Sequence, residues 1–282
     1  MAKKNKPTFT GNSEHRKNFI KLLEQIAYDK SPWNVFNDFL QLAASTLSNQ
    51  SDPYFLCTDK KTWDEREKKY LDIFNSYSKK AQELFPQMYA ELVLELESYV
   101  PDDYHDVLGE IFHEMEFQNQ WRGQFFTPQH VCNMMGLICF DEGMIKAEVE
   151  RRGFVTMNEP AVGAGALIYG AMNAMKRYGF NPTKQFLVFA GDIDERCVLM
   201  CYIQCSLYGL PAIIRHQNSL TGETFGAPWI TPVFNFDGWI WRYRRMFRPL
   251  SDDSEPTAEV VPEIEEEETA LKVDESGHFC LF

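Results

Sequence analysis

Residues 154–168 read Phe-Val-Thr-Met-Asn-Glu-Pro-Ala-Val-Gly-Ala-Gly-Ala-Leu-Ile, and this stretch decides the fold. A short apolar run ends in an acidic residue and a proline, a loop of small residues follows, and helical spacing continues through Tyr169 and Met175. The order strand, glycine turn, helix is typical of a crossover unit whose loop lets a nucleoside-bearing ligand approach the backbone. Gly163 and Gly165 tolerate positive φ and carry no Cβ to block that approach. The alternative is that the Gly-x-Gly turn is only a tight connection.

Two further strand and helix units follow the glycine loop. Residues 185–190 form an apolar run that ends at Asp192, and a helix over 195–208 leads to a short strand over 212–215. Three such steps in succession predict a parallel sheet with right-handed crossovers. A carboxylate at the end of the second strand, about 20 to 30 residues after the glycine turn, is placed to accept ribose hydroxyls. The alternative for Asp192 is an ordinary helix cap.

Composition divides the chain into four regions. Residues 1–12 form a basic arm that we expect to be disordered, and residues 13–102 show apolar positions at helical spacing, which predicts a helical N-terminal subdomain of four or five helices. Ser31 followed by Pro32 is typical of a helix cap and first turn. Residues 103–250 form the α/β core, and residues 251–282 form an acidic tail that we expect to be disordered.

The net charge of −13 is concentrated in that tail. From Ser251 onward there are eleven acidic residues and one lysine, a net of −10, so the first 250 residues carry only −13 + 10 = −3. A nucleic-acid partner is therefore not excluded by the overall charge. Residues 60–69 are dense in both charge signs and are interpreted as a solvated helix face.

The cysteines and the N-terminus indicate a reducing, cytoplasmic location. Seven cysteines lie without disulfide-framework spacing, and no apolar segment follows the basic residues 1–6 as a signal peptide would require. No apolar run approaches the roughly 20 residues of a membrane span. Cys197, Cys201 and Cys205 are interpreted as buried small side chains, and His113 has no second histidine at metal-ligand spacing, so we expect no metal.

A second loop precedes the glycine loop. Residues 123–128 read Gly-Gln-Phe-Phe-Thr-Pro, and a helix is predicted to begin at Pro128 with Thr127 as its cap. Its apolar positions are Val131, Met134, Met135 and Ile138. The exposed amides at such a helix start would bind an anion, and the alternative is an ordinary capped helix.

These motifs together resemble the adenine-N6 DNA methyltransferases, in particular the modification subunits of type I restriction systems. Residues 108–112 with 123–128 look like the family's lead-in and Phe-Thr-Pro motif, and residues 158–165 are similar to its Asp-Pro-Ala-Cys-Gly-Ser-Gly motif. Residues 191–194 are similar to its Gly-x-Glu-Ile-Asp motif, and residues 208–220 look like its segment from His-Gly-Leu to Gly-Asn/Asp-x-Leu. The resemblance covers roughly residues 105–220 and implies an S-adenosylmethionine-dependent methyltransferase core of Rossmann-like, three-layer form.

The resemblance implies S-adenosylmethionine as cofactor, DNA as substrate and a separate specificity or partner subunit. Glu159 would pair with the ammonium group of the cofactor. Asp192 would accept hydrogen bonds from its ribose hydroxyls, and Asn218 would form hydrogen bonds with the edge of its adenine. The residues it assigns to the cofactor are Phe126, Thr127, Glu159, Pro160, Ala161, Gly163, Gly165, Asp192, Ile193 and Asn218.

The chain departs from the family at the catalytic motif, Asn/Asp-Pro-Pro-Phe/Tyr, which should follow a fourth strand. A polar side chain and a proline carbonyl must accept the amino hydrogens of adenine, and an aromatic ring stacks on the flipped base. The nearest candidate is Thr231-Pro232-Val233-Phe234, in which a hydroxyl replaces the amide and valine the second proline. Thr231, Pro232 and Phe234 are thus the candidate catalytic residues, in a degenerate motif.

Residues 239–248 interleave four arginines with aromatic side chains. Arg242, Arg244, Arg245 and Arg248 have the composition that contacts phosphates and stacks on bases, so we expect DNA binding here. The alternative is an edge strand with an apolar inner face and a charged outer one. The acidic tail would compete with DNA for this segment or keep the protein in solution.

Three functions remain open from the sequence. The first is an enzyme that transfers a methyl group to adenine N6 in DNA, and the second is a catalytically inactive relative that binds cofactor or DNA as a regulatory or complex subunit. The third is a methyltransferase with another substrate. The position of Thr231 in the fold distinguishes the first two.

Overall fold

Four helices form the N-terminal part of the computed structural model, which describes residues 13–28, 30–100, 103–115 and 127–246. Each begins at a side chain that accepts a backbone N–H of the first turn, namely Ser13, Ser31, Asp59 and Ser78. The cap predicted at Ser31 is confirmed. The helices are α1 (Glu14–Ile26), α2 (Pro32–Ser51), α3 (Lys60–Asn75) and α4 (Lys79–Tyr99).

Three more helices follow, and after them come the strands of the sheet with their connecting helices. In chain order they are α5 (Val107–Glu114), α6 (Gln129–Cys139), α7 (Glu142–Arg152), β1 (Val155–Glu159), α8 (Ala166–Arg177), α9 (Pro182–Gln185), β2 (Phe186–Asp192), α10 (Glu195–Leu207), β3 (Ala212–Asn218), β4 (Glu223–Thr224), β5 (Trp229–Ile230), α11 (Val233–Phe236) and α12 (Trp239–Met246). Whether residues 13–102 form a subdomain of their own stays a prediction.

The sheet has the order β1-β2-β3-β4, and β5 also pairs with β3. β1, β2 and β3 are parallel, with Val155 opposite Phe186 and Val188 opposite Ala212. The predicted parallel sheet of three strand and helix steps is confirmed. β4 and β5 are antiparallel to β3, β4 near its carboxyl end and β5 near its amino end. Within the part of the chain that the structure describes, β1 is an edge strand.

Helices cover both faces of the sheet and give three layers. On one face, buried apolar residues of α8 and α10 form one cluster with Val155, Phe186 and Val188. On the other face, Phe154 meets Trp239 with ring centroids 5.2 Å apart. Phe189 meets Tyr243 at 6.1 Å on this face. The predicted α/β class is therefore confirmed.

The start of α6 differs from the prediction. Pro128, not Thr127, is the cap, and no side chain accepts a hydrogen bond there. The predicted apolar positions Met134, Met135 and Ile138 are exposed. α6 packs on α8 through its opposite face, where a Cβ on Gly136 would lie 2.2 Å from the carbonyl oxygen of Gly170. Close backbone approach between the two helices decides which face is buried.

One other segment carries a residue whose environment was not expected. Within the charged segment 60–69, Arg66 is buried, and its guanidinium lies 3.9 Å from the ring centroid of Trp229. Cys197, Cys201 and Cys205 are buried as predicted.

No helix among the described residues is both long and apolar enough to cross a membrane.

Candidate cofactor site

The loop between β1 and α8 is bonded to the end of β2. Gly163 and Gly165 have φ of 56° and 106°, conformations that favour glycine. The Val162 amide donates to the carbonyl of Gly191 (3.0 Å), and the Gly163 amide donates to Oδ2 of Asp192 (2.9 Å). The carboxyl ends of β1 and β2 therefore meet at the two motifs predicted to hold the cofactor.

Asp192 is held by backbone donors on both carboxylate oxygens. Oδ1 accepts from the amide of Asp194 (3.0 Å), and the residue is 7% exposed. Burial raises the pKa of Asp192, although the backbone hydrogen bonds from Asp194 and Gly163 act in the opposite direction. Each carboxylate oxygen has a second lone pair, so Asp192 still has acceptor capacity for hydroxyl groups. Ile193 beside it is 63% exposed and presents an apolar surface next to this acceptor.

The turn after β3 contacts both neighbouring loops. The hydroxyl of Ser219 donates to the carbonyl of Pro160, and Nε2 of His216 lies 3.0 Å from the carbonyl oxygen of Ile193. Oδ1 of Asn218 accepts from the amide of Leu220 (3.1 Å), so part of this side chain stabilises the turn itself. Ser219 and His216 were not singled out from the sequence, because only the fold brings the ends of β1, β2 and β3 together.

The other predicted cofactor residues are placed less specifically. Oε1 of Glu159 accepts from the amide of Ala161 (3.2 Å) and so shapes the turn after β1. Pro160, Ala161 and Thr127 are exposed. Phe126 lies outside the described residues. A cofactor role for all of these residues stays a prediction.

The candidate catalytic motif lies at the opposite edge of the sheet. The hydroxyl of Thr231 accepts from the amide of Ala212 (2.9 Å) and donates to the carbonyl of Leu210 (2.7 Å), and Thr231 is 1% exposed. Ala212 is the first residue of β3, whereas the cofactor loops meet its last residues. Seven residues at about 3.3 Å each separate the two edges by roughly 20 Å.

The assignment of Thr231, Pro232 and Phe234 as catalytic is therefore wrong. Thr231 satisfies buried backbone groups, Pro232 precedes the first turn of α11, and Phe234 is buried against Tyr243 with ring centroids 6.2 Å apart. None of the three lies at the edge where the glycine loop and Asp192 meet. β5 is antiparallel to β3, so the residues that follow it necessarily lie at the amino edge of the parallel strands.

The arginine-rich segment is a helix, so the alternative of an edge strand is wrong. Nη1 of Arg242 donates to the carbonyl of Lys184 (3.1 Å), and its guanidinium lies 4.7 Å from the ring centroid of Trp239. Trp241 is 66% exposed. Arg244 and Arg245 lie in the last turn, and Arg248 lies outside the described residues. DNA binding by this segment stays a prediction.

Among the described residues, no group of three or more His, Cys, Asp and Glu side chains could hold a metal ion.

Three parallel strands, a glycine loop after the first and an aspartate after the second are the features of a Rossmann-like α/β core. Residues 103–238 match the model of the N-6 DNA methylase family, and this match confirms the resemblance predicted from the motifs. A search of curated proteins found no match.

Two solved structures are similar to the chain at low sequence identity. One is a candidate class I S-adenosylmethionine-dependent methyltransferase from Listeria monocytogenes, at 15% identity and a TM-score of 0.38 over 74% of this chain and 55% of that one. The other is a type I restriction-modification system methyltransferase subunit from Streptococcus thermophilus, at 16% identity and a TM-score of 0.38 over 73% of this chain and 58% of that one. The chain thus spans less than two thirds of the length of either.

Proposed function

We propose that this protein binds S-adenosylmethionine at the carboxyl edge of its sheet and serves in the methylation of adenine N6 in DNA. The observation that carries the proposal is the hydrogen bond of 2.9 Å from the Gly163 amide to Asp192. It joins the glycine loop to the acidic strand end inside the segment that matches the N-6 DNA methylase family. A strand-end carboxylate beside a glycine loop is suited to the ribose of a nucleoside cofactor.

The side chains at this edge fit the two ends of the cofactor. Asp192 would accept the ribose hydroxyls, Ile193 would pack on the adenine, and Glu159 would oppose the ammonium of the methionine end. Asn218 retains its amide nitrogen for the adenine edge, since its side chain accepts hydrogen bonds from the amides of Leu220 and Thr221 through Oδ1. When bound, S-adenosylmethionine supplies a methyl group on a sulfonium sulfur, and no described residue has to generate that electrophile.

A second function is favoured by the position of Thr231. Methyl transfer to adenine N6 needs a hydrogen-bond acceptor for the amino group close to the methyl. The sequence offers Thr231 for this role. Thr231 is buried at the amino edge of the sheet, where its hydroxyl is bonded to the backbone, so it does not supply this acceptor. The second proposal is therefore a subunit that binds the cofactor and DNA while another polypeptide supplies the acceptor.

Calorimetric titration of the full chain with S-adenosylmethionine is the first test. We expect saturable binding that is lost or strongly weakened in Asp192→Ala, because the carboxylate is the charged acceptor at the strand end. Asp64→Ala is the matched control, since it removes an exposed aspartate on α3 far along the chain from both motifs. No heat of binding for the parent chain would eliminate both proposals.

Transfer of a tritiated methyl group to unmethylated DNA is the second test. Incorporation that is resistant to RNase and located on adenine supports the enzyme, and incorporation on another base or molecule supports a methyltransferase of different substrate. Cofactor binding without incorporation, together with DNA binding in fluorescence anisotropy, supports the subunit without catalysis of its own.

A further inference from the structure

The carbonyl of Ala164, at the centre of the glycine loop, accepts two hydrogen bonds from the protein core. Nε2 of Gln204 donates to it at 3.0 Å, and the hydroxyl of Tyr169 donates to it at 3.0 Å. Both donors are fully buried. A loop carbonyl held in this way cannot rotate without leaving two buried donors unpaired, which is costly.

The direction of this carbonyl determines the turn that presents Gly163. In a trans peptide the C=O of Ala164 and the N–H of Gly165 point in opposite directions. With the carbonyl directed at the core, the Gly165 amide donates to the carbonyl of Val162 (3.0 Å) and closes the turn. Gly163 lies inside that turn, and its own amide donates to Asp192. A chain of contacts therefore leads from Gln204 to the predicted ribose acceptor.

Gln204 also links the loop to two other segments. Its Nε2 donates to Oδ1 of Asp106 (3.0 Å), and its Oε1 accepts from the amide of Leu108 (3.0 Å). The amide of Asp106 in turn donates to Oε1 of Gln129 (3.1 Å), the first residue of α6. Gln204 thus uses both amide hydrogens and its oxygen, and only an amide has this combination of donors and acceptor.

We propose that Gln204 is the positioning residue that holds the glycine loop in the form that binds S-adenosylmethionine. The proposal rests on the proposed function only for the identity of the ligand. Gln204 is not a catalytic residue, because it acts through the carbonyl of Ala164 and is itself 0% exposed. The alternative is that it only joins α10 to α5, without influence on the loop.

A paired exchange of carboxylate and amide distinguishes the positioning role of Gln204 from the joining role. The double variant Asp106→Asn with Gln204→Glu keeps a hydrogen bond between residues 106 and 204 and keeps an acceptor for Leu108, while the amide nitrogen at 106 replaces the oxygen that accepts from Gly109, so the single variant Asp106→Asn is measured beside it. When ionised, the new carboxylate has no donor for the carbonyl of Ala164, since a carboxylate only accepts, so the comparison is made at a pH high enough to ionise it. A joining role predicts recovery of both stability and affinity relative to Gln204→Glu, whereas a positioning role predicts recovery of stability alone.

The single variants Gln204→Met and Tyr169→Phe complete the set. Each removes one of the two donors to Ala164 at similar volume, and Tyr169→Phe does so without touching Asp106 or Leu108. We expect each to weaken S-adenosylmethionine binding in the full chain by roughly tenfold, the scale of one buried hydrogen bond. If Gln204→Met does not fold, Tyr169→Phe and the double variant carry the test.

Hydrogen exchange provides the readout that does not depend on the ligand. Mass spectrometry of peptides covering residues 160–168, without cofactor, should show faster exchange in Gln204→Met, in Tyr169→Phe and in the double variant than in the parent. Unchanged exchange and affinity in Gln204→Met, or full recovery of affinity in the double variant, would overturn the proposal. Faster exchange with no binding even by the parent would support the positioning role and reject the proposed ligand.

Discussion

The burial of the Asp106 carboxyl leads to a specific prediction for how the substitution Asp106→Asn changes stability with pH. Burial, the largest cause, raises the pKa of Asp106 from 3.8 to about 6, while hydrogen bonds from Gln204 and from the Gly109 amide act to lower it. Both donors reach the same oxygen, Oδ1, at 3.0 and 2.9 Å. An asparagine can keep both of them on its own oxygen and has no charge to bury.

The sign of the effect follows from proton binding in the two states. Because the pKa is raised in the folded protein, the folded state holds the proton more tightly than the unfolded state. The wild type therefore loses stability as the pH rises from 3.8 to about 6. At 1.36 kcal/mol per pKa unit, the charge costs the wild type about 1 kcal/mol at pH 4.5 and about 3 kcal/mol at pH 7.5. The free energy of unfolding of Asp106→Asn, taken relative to the wild type, should therefore rise by about 2 kcal/mol between pH 4.5 and pH 7.5.

Urea denaturation of both proteins at pH 4.5, 5.5, 6.5 and 7.5 measures the difference directly, and contributions of titrating groups that do not interact with Asp106 cancel in it. Asp141→Asn is the control, because this exposed carboxylate caps α7 and has no burial to relieve. A difference between Asp106→Asn and wild type that stays constant with pH, or that falls as pH rises, would refute the reasoning.

Four further predictions concern the site and its surroundings. Asp192→Ala should cost roughly 1.5–3 kcal/mol of S-adenosylmethionine affinity in calorimetry, the scale for hydrogen bonds to a charged group. Gly165→Ala should lower the free energy of unfolding in urea by about 1–3 kcal/mol, because φ is 106° and the new Cβ would lie 2.5 Å from the Tyr169 hydroxyl oxygen. Thr231→Val should cost about 1–3 kcal/mol of stability through the lost buried hydrogen bonds while leaving cofactor affinity unchanged, and reduced affinity there would contradict the structural role. Changing Arg242 and Arg244 to alanine should flatten the log–log salt dependence of DNA binding by about 2 in fluorescence anisotropy, and an unchanged slope would argue against phosphate contacts.

The sequence by itself determined the parallel sheet and the position of the candidate cofactor site. Alternating apolar runs and helical patterns over residues 154–215 predict three strand and helix steps, and the structure has them as β1, α8, β2, α10 and β3. Glycines at positive φ and a strand-end aspartate are local requirements that a single stretch of chain reveals. For this reason Gly163, Gly165 and Asp192 could be predicted without a structure.

Only the tertiary structure decided which edge of the sheet each motif occupies and which buried groups hold the loop. Thr231 follows a strand in the sequence just as Asp192 does, but β5 runs antiparallel to β3, so Thr231 lies at the far edge. Strand direction depends on pairing between distant segments and leaves no local pattern. The contact of Gln204 with the carbonyl of Ala164 spans 40 residues and arises because α10 packs beneath the glycine loop. A polar residue on an apolar helix reveals its partner only when the chain is folded.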